Sequence, residues 1–301
     1  MALNFKRLFL VMVLLAVILG GLCVSLYEEN YWLRLELSHS ITADPTSRIG
    51  IAIALPSEAQ VVLGFFSETG ELVAYGYRFL EGEIASKPVV IVISGVGEEA
   101  AAGAVFAMNS LFNITWAVSI GTAGAHSSIL ELGDVIVGAR IISFGSRMYT
   151  SSTSWSYLNN GITFPNSTRM KFRYLNSTTS LVELAAKASK QVSLPLVPGN
   201  LTSNGQPHQP IIFLNGTIAS SNFWTANSSL ITQTRMALGT DAEEEEAYGF
   251  GLSCYRLGIP FVKIAVISDS DLTGLKFTPA TIRTGMTNGA MLLQEMIMLS
   301  E

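Results

Sequence analysis

The amino-acid sequence predicts a single α/β domain of three layers, in which a central, mixed and largely parallel β-sheet is flanked by helices. Two observations lead to this prediction: apolar runs of strand length recur along the chain, and helical patterns separate them. In addition, several predicted strands run directly into glycine-containing turns. No internal repeat or second domain is visible in the sequence.

The first half of the chain alternates regularly between the two patterns. Short apolar runs predict buried strands, and a helix begins after Pro56. An alternating stretch predicts a hairpin, and an alanine-rich stretch with acidic residues in its first turn predicts a second helix. The strands are predicted over 48–55, 87–97, 114–126 and 134–145, the hairpin over 71–84 and the second helix over 98–112.

The second half of the chain is patterned less evenly. Residues 145–215 are rich in loop-forming residues, but their many aromatic side chains argue against disorder. This stretch contains one helical pattern, over 180–192. Beyond it, apolar runs and apolar stripes at helical spacing resume. Strands are predicted over 210–220 and 259–268, and helices over 242–257 and 278–299.

The N-terminal segment has the pattern of a secretory leader. Lys6 and Arg7 precede an apolar run that extends from Leu8 to about Leu26. The small side chain of Ser25 suits cleavage there, whereas the uncut run is long enough to span a bilayer. A cleaved signal peptide and a signal anchor therefore both stay open. The predicted organisation is a leader over 1–25, a spacer over 26–46 and the folded domain over 47–301.

The composition excludes some classes of protein. The formal net charge is −5 and no basic cluster is present, so the sequence does not favour nucleic-acid binding. Hydrophobic residues make up 49% of the chain, which is enough for one large core. Of the two cysteines, Cys23 lies in the leader. Cys254 is therefore expected to be a buried thiol without a disulfide partner in the same chain.

Asn-x-Ser/Thr triplets support passage through the secretory pathway, because they accept glycans only there and only on a surface. One triplet begins at Asn113, next to a predicted strand, where burial is expected to prevent modification. The predicted glycosylation sites are Asn166, Asn176, Asn200, Asn215 and Asn227. The expected compartment is extracellular or vacuolar, with membrane contact only through the N-terminal segment if that segment stays uncleaved.

Acidic residues follow the predicted strands at the edge where α/β proteins bind ligands. Ligands sit at the carboxyl ends of parallel strands. Glu58 and Asp269 follow two of the strands, and Glu246 lies at the start of a helix. Three carboxyl groups that converge on an apolar sheet edge suit acid–base chemistry, because burial and mutual repulsion separate their pKa values. Each residue also has a structural interpretation, as a helix cap, a turn residue or a solvated helix start.

The order and spacing of these motifs resemble the nucleoside phosphorylase and nucleosidase superfamily over residues 48–299. The resemblance is closest to methylthioadenosine/adenosylhomocysteine nucleosidases and to the plant bark (vegetative) storage proteins derived from them. The segments that carry it are Gly50-Ile-Ala-Ile-Ala54-Leu-Pro-Ser-Glu58, Ile120-Gly-Thr122-Ala-Gly124-Ala, Ala219-Ser-Ser-Asn222-Phe-Trp224, Glu245-Glu246-Ala247 and, with Asp269 twenty-three residues after Glu246, Ile267-Ser268-Asp269.

The resemblance implies a role for each motif residue. Asp269 is the expected donor of a proton to N7 of a purine, Glu246 the expected ligand of the ribose hydroxyls, and Glu58 the expected base that activates water. Trp224 is expected to stack on the purine. The further expected substrate contacts are Ala54, Thr122, Gly124, Glu245 and Ser268. The resemblance implies a small-molecule purine nucleoside as partner, a homodimer, and neither a cofactor nor a metal.

Departures from the family pattern keep alternatives open. Glu245 stands in place of a methionine under the ribose, and Asn222 in place of an aspartate. These changes, together with the leader and the triplets, agree with a storage or nucleoside-binding protein of low activity. A nucleoside phosphorylase is the third interpretation, but the loop 54–58 lacks the phosphate-binding arginine. Glu243 and Glu244 are expected to be solvated, and His126 is expected to be structural.

Overall fold

The computed structural model describes residues 44–151 and 154–300 of the chain. The predicted leader over 1–25 and most of the predicted spacer over 26–46 therefore lie outside the described residues. Within the described ranges, no helix is both long and apolar enough to cross a membrane.

Strands and helices alternate along the chain as the sequence predicts. The strands are β1 (Asp44–Ile53), β2 (Ser67–Ala74), β3 (Tyr77–Ile84), β4 (Lys87–Ile93), β5 (Phe112–Ala125), β6 (Val135–Ser143), β7 (Arg147–Tyr149), β8 (Trp155–Tyr157), β9 (Asn160–Thr163), β10 (Arg169–Phe172), β11 (Leu175–Asn176), β12 (Ile212–Ser220), β13 (Ala242–Glu244) and β14 (Phe261–Asp269). The helices are α1 (Pro56–Val62), α2 (Glu98–Leu111), α3 (Thr179–Ala188), α4 (Ser228–Leu238), α5 (Ala247–Leu257) and α6 (Pro279–Leu299).

The central sheet is mixed and largely parallel, which confirms the predicted fold class. β4, β1, β5 and β14 lie side by side in parallel. β6 runs antiparallel to β14 and parallel to β12. The short strand β13 pairs with both β12 and β5, so the sheet curls at this end. The parallel strands β1, β5 and β14 bring their carboxyl ends to one edge.

Apolar side chains on both faces of the sheet form the core. Every residue of β14 is buried, as expected for a strand covered on both faces. On one face, α1, α3 and α6 contribute to the largest apolar cluster, with Val62, Ala185 and Met286 among its members. α2 and α5 pack against each other. The three-layer arrangement therefore comes from a doubly covered sheet, as predicted.

The glutamate run at 243–246 differs from its prediction. A helix is predicted from about 242, but Glu243 and Glu244 lie in β13 and α5 begins at Ala247. Both side chains are buried, with 2% and 3% of their surface exposed, so the expectation that they are solvated is wrong. Pairing with β12 and β5 holds this run extended, and tertiary contacts override the helical preference of glutamate.

Two further differences concern the surface and one unpredicted helix. Asn113 is exposed, so the expectation of burial at this triplet is wrong. α4 follows the site loop that contains Trp224 and has no predicted counterpart. The side chain of Asn227 caps it by accepting a hydrogen bond from the backbone N–H of Leu230 at 3.0 Å. The weakly patterned stretch over 145–215 contains short antiparallel strands.

Candidate active site

A pocket of about 380 Å³ opens at the carboxyl edge of the sheet. Its lining residues are Ala54, Leu55, Glu58, Val96, Thr122, Ala123, Trp224, Glu244, Glu245, Glu246, Asp269 and Phe277. All of the predicted catalytic and substrate-binding residues line it except Gly124 and Ser268. The end of β5 and the segments that follow β1, β4, β12 and β14 therefore meet around one volume. Glu244 and Phe277 are lining residues that motif matching missed.

Glu58 is held rigidly at the start of α1. Pro56 occupies the first turn, and the carboxylate of Glu58 accepts the backbone N–H of Leu55 at 3.0 Å, which closes the helix N-terminus. The other carboxylate oxygen accepts the backbone N–H and the hydroxyl of Thr122, at 2.8 and 2.6 Å. These bonds tie the end of β1 to the glycine turn in β5. The side chain is 2% exposed, so its orientation is fixed before any ligand binds.

Glu246 is the N-cap residue of α5 and faces the glycine turn after β4. Its carboxylate accepts the backbone N–H of Gly97 at 3.0 Å. Gly97 has a φ of 107°, a backbone conformation that suits glycine. Burial raises the pKa of Glu246 to about 8, and the neighbouring charge of Glu244 adds to that rise. Glu246 therefore has a carboxyl group that can change its charge near neutral pH.

Glu243 and Glu244 are both buried, and each has a basic side chain as a partner: His126 for Glu243 and Lys263 for Glu244. Glu243 lies 3.0 Å from Nε2 of His126, whose Nδ1 lies 2.8 Å from the hydroxyl of Thr240. Glu243 also accepts the backbone N–H of Thr225 at 2.8 Å, next to Trp224 in the chain. His126 is 1% exposed and its ring nitrogens both have partners, which agrees with its expected structural role.

Asp269 lies at the end of β14, beside the indole of Trp224. Burial raises the pKa of Asp269 to about 6, although the hydroxyl of Ser268 donates to its carboxylate at 2.6 Å and opposes the shift. Gly124 lies under the indole, because a Cβ at this position would lie 2.5 Å from the ring of Trp224. Trp224 Nε1 donates to Asp271 at 3.3 Å. Gly124 therefore leaves room for the indole of Trp224, and Ser268 holds the carboxylate of Asp269 by a hydrogen bond.

The two residues that depart from the family pattern have different surroundings. Asn222 accepts the backbone N–H of Glu98 at 2.7 Å and donates to Glu99 at 2.5 Å, so it caps the start of α2. Glu245 lines the pocket, where burial and the charges of Glu244 and Glu243 raise its pKa. The extra carboxyl group therefore makes the pocket more acidic.

These groups define a site for acid–base chemistry on a neutral organic ligand. One wall holds an exposed tryptophan, 42% of whose surface is accessible, next to a carboxyl group that keeps its proton up to about pH 6. Two further lining carboxyl groups, those of Glu58 and Glu246, accept hydrogen bonds from backbone N–H groups. No lysine or arginine lines the pocket among the described residues. The fold and site together define an α/β protein with a carboxylate-rich, aromatic-capped small-molecule pocket.

Comparison with known proteins identifies the family. Residues 48–298 match the family model described as Phosphorylase superfamily, so the chain belongs to the phosphorylase superfamily. The 5′-methylthioadenosine/S-adenosylhomocysteine nucleosidase of Psychromonas ingrahamii is 23% identical over 259 residues, which cover 83% of this chain and 98% of that protein.

Solved structures share the fold. A methylthioadenosine/S-adenosylhomocysteine nucleosidase of Colwellia psychrerythraea in complex with adenine aligns with a TM-score of 0.65 at 21% identity, over 85% of this chain and 96% of that one. The futalosine hydrolase of Helicobacter pylori aligns with a TM-score of 0.65 at 18% identity, over 83% and 97% of the two chains. The solved structures confirm the predicted α/β fold, and the family model confirms the predicted superfamily.

Proposed function

We propose that the protein is a purine nucleosidase that hydrolyses the N-glycosidic bond of adenosine-type nucleosides such as methylthioadenosine. One observation carries the proposal: Glu58, Glu246 and Asp269 line a single pocket together with Trp224. Relatives that match over nearly their whole length are methylthioadenosine/S-adenosylhomocysteine nucleosidases, which supports the same reaction here.

Asp269 supplies the proton for the leaving base. Trp224 stacks on the purine and holds its N7 toward the Asp269 carboxyl group. As the bond between C1′ and N9 breaks, the proton passes to N7 and the base leaves as a neutral molecule. The raised pKa of Asp269, about 6, keeps part of the population in the acid form near neutral pH.

Glu246 and Glu58 act on the sugar and on water. The ionised carboxylate of Glu246 accepts hydrogen bonds from the ribose hydroxyls and stabilises the positive charge that develops at C1′. A water molecule held by Glu58 attacks C1′ and gives up a proton to that carboxylate. The products are the free base and the free sugar.

Water is the preferred nucleophile in this proposal. A phosphorylase needs cationic or N–H donors to hold phosphate, whereas four carboxyl groups besides that of Asp269 line this pocket and no lysine or arginine does so among the described residues. This acidity repels an anionic co-substrate. The surroundings of the pocket therefore favour hydrolysis over phosphorolysis.

We also propose that the protein is glycosylated in the secretory pathway. Asn166, Asn176, Asn200, Asn215 and Asn227 are all exposed, which supports their use as acceptors. Treating protein secreted from eukaryotic cells with a glycosidase specific for Asn-linked glycans is expected to lower its mass. An unchanged mass would contradict this part of the proposal.

Chromatography of released base tests the main proposal. The full-length chain is expressed through a secretory pathway, and methylthioadenosine, adenosine and inosine are supplied with and without phosphate. We expect base release that needs no phosphate and that is lost in Glu246→Gln. The matched control is Glu183→Gln, which changes an exposed glutamate on α3 and is expected to behave as wild type.

Each other outcome contradicts the proposal in a different way. Release that requires phosphate would assign the protein to phosphorolysis. Folded protein that binds adenine but releases no base would leave a nucleoside-binding or storage protein of the same fold. Equal activity in wild type and Glu246→Gln would remove Glu246 from the site chemistry.

A further inference from the structure

A lysine lies inside the sheet, beneath the acidic pocket. Lys263 is the third residue of β14, and only 1% of its surface is exposed. Its neighbours in register are Ser119 on β5 and Gly138 on β6. A Cβ on Gly138 would lie 3.2 Å from Cβ of Lys263 and 2.8 Å from Ile218, so the glycine leaves room for the lysine side chain. The sheet therefore accommodates a buried cation at this position.

The ammonium group of Lys263 points at Glu244. Nζ lies 2.9 Å from Oε2 of Glu244 and donates to the hydroxyl of Ser119 at 3.2 Å. The Glu244 carboxylate in turn accepts the backbone N–H of Glu246 at 3.1 Å and that of Ala247 at 2.9 Å. A continuous chain of bonds therefore links Lys263 to the N-terminus of α5, where Glu246 stands.

The groups around Glu246 are otherwise acidic. Glu244 on β13 and Glu58 on α1 both face it, and Glu98 at the start of α2 faces Glu244. The opposing contributions come from Lys263 and from the backbone N–H of Gly97. A buried carboxylate without a compensating charge or donor is costly, so this cluster depends on its cation.

We propose that Lys263 is a positioning residue that acts through Glu244 to hold Glu246 at the start of α5 and to favour the ionised form of Glu246, which accepts hydrogen bonds from the ribose hydroxyls. The proposal rests on the proposed nucleosidase function, since it assigns Glu246 to the ribose. Lys263 is not among the residues that line the pocket, so we assign it no direct contact with the substrate. Lys263 acts on Glu246 through its charge and through the hydrogen bonds by which Glu244 holds the start of α5.

The titration behaviour of the cluster agrees with this arrangement. Burial and Glu244 raise the pKa of Glu246, and the charge of Lys263 opposes that rise. Burial alone would lower the pKa of Lys263, but Glu244 and Glu246 outweigh burial, so the net shift is upward and the lysine stays charged. Loss of the ammonium group is therefore expected to favour the neutral form of Glu246.

Binding of a stable nucleoside analogue measures the ionisation of Glu246. The probe is the carbocyclic analogue of adenosine, in which a methylene group replaces the ring oxygen, and adenine is measured in parallel. The ratio of the two affinities isolates the ribose contribution and is followed against pH by calorimetry. In Lys263→Met we expect the midpoint of this ratio to move up by about one pH unit or more, the shift that loss of one nearby opposite charge produces.

Two companion variants distinguish an electrostatic role from a purely structural one. Glu244→Gln leaves the cation without its neighbouring carboxylate, so the midpoint is expected to move down. The double variant with Lys263→Met is expected to return toward wild type. Ser119→Ala is the matched control, since it removes a hydrogen bond to the lysine but no charge. The proposal would be overturned if the midpoint moved in the same direction in Lys263→Met and in Glu244→Gln. It would also be overturned if the midpoint did not move in Lys263→Met.

A stability measurement tests Lys263 even if the protein binds no nucleoside. The folded-state pKa of Glu246, about 8, exceeds its ordinary value of 4.5, so this group costs stability progressively as pH rises between those values. Lys263→Met raises that pKa further. The loss of stability relative to wild type is therefore expected to grow above about pH 8, where Glu246 ionises in wild type but is still protonated in the variant. A loss that is constant with pH would indicate packing alone and would refute the proposal.

Discussion

Replacing Asp269 by asparagine tests the proposed chemistry most directly. Asparagine keeps the shape of the side chain but cannot deliver an acidic proton to the leaving base. A positioned general acid contributes about 10²–10⁴ in rate. We therefore expect kcat/KM for methylthioadenosine to fall by about 10²–10⁴ at pH 6, with the release of adenine followed by chromatography.

The pH dependence of the wild-type reaction follows from two carboxyl groups. The reaction needs Asp269 protonated, with a pKa of about 6, and Glu246 ionised, with a pKa of about 8. At pH 7 about one-tenth of the molecules meet each condition, so about one in a hundred meets both. kcat/KM is expected to be nearly level between about pH 6 and pH 8 and to fall about tenfold per pH unit on either side.

The two single variants are expected to respond to pH in opposite directions. In Asp269→Asn the residual rate depends only on ionisation of Glu246, so it rises with pH to about 8 and then stays level. In Glu246→Gln the residual rate depends only on protonation of Asp269, so it falls above about pH 6. This pair of profiles assigns each carboxyl group to its role without a structure of the complex.

Ser268→Ala is the matched control for the proton-donor role. The Ser268 hydroxyl stabilises ionised Asp269, so its removal raises the pKa of Asp269 and increases the protonated fraction at pH 7. We expect kcat/KM at pH 7 to rise in this variant. An Asp269→Asn enzyme with wild-type kcat/KM, or one that still loses activity above about pH 8, would refute the reasoning.

Three further variants test other parts of the site. Glu58→Gln removes the base that activates water, so kcat is expected to fall about 10²–10⁴ while adenine binding, measured by calorimetry, is unchanged. Gly124→Ala places a Cβ 2.5 Å from the ring of Trp224 and displaces it; KM is expected to rise up to about tenfold, and an unchanged KM would contradict stacking. His126→Ala removes one hydrogen-bond partner of the buried Glu243 carboxylate, and denaturant titration is expected to give a loss of about 1–3 kcal/mol in the free energy of unfolding. A stability loss below about 1 kcal/mol would refute a structural role for this pair.

The strand ends and their acidic residues were predictable from local pattern. Glu58, Asp269 and the glycine turn around Gly124 follow apolar strands, and parallel strands bring their carboxyl ends together. The stretch of chain between Glu246 and Asp269 has the length of one helix followed by one strand. A reader of the sequence can therefore place these groups at one edge without coordinates.

The environment of the glutamate run was not predictable in this way. Four consecutive glutamates are typical of a solvated helix start, yet Glu243 and Glu244 form a short strand inside the protein. Their partners come from other parts of the sheet: His126 directly follows β5, and Lys263 lies on β14. Burial of a charged residue depends on a partner that only the register of the sheet supplies.

The sequence by itself determined the class of fold, the family and the residues at the pocket edge, because periodicity and local motifs act over short distances. Only the tertiary structure decided which of the carboxyl groups are buried, which of them share a cation, and how their pKa values separate. Lys263 illustrates this difference between what the sequence and the tertiary structure determine. In the sequence it interrupts an apolar strand, and in the fold it lies 2.9 Å from Glu244, beneath the pocket. Desolvation and charge pairing depend on neighbours in space, which strand order and register determine.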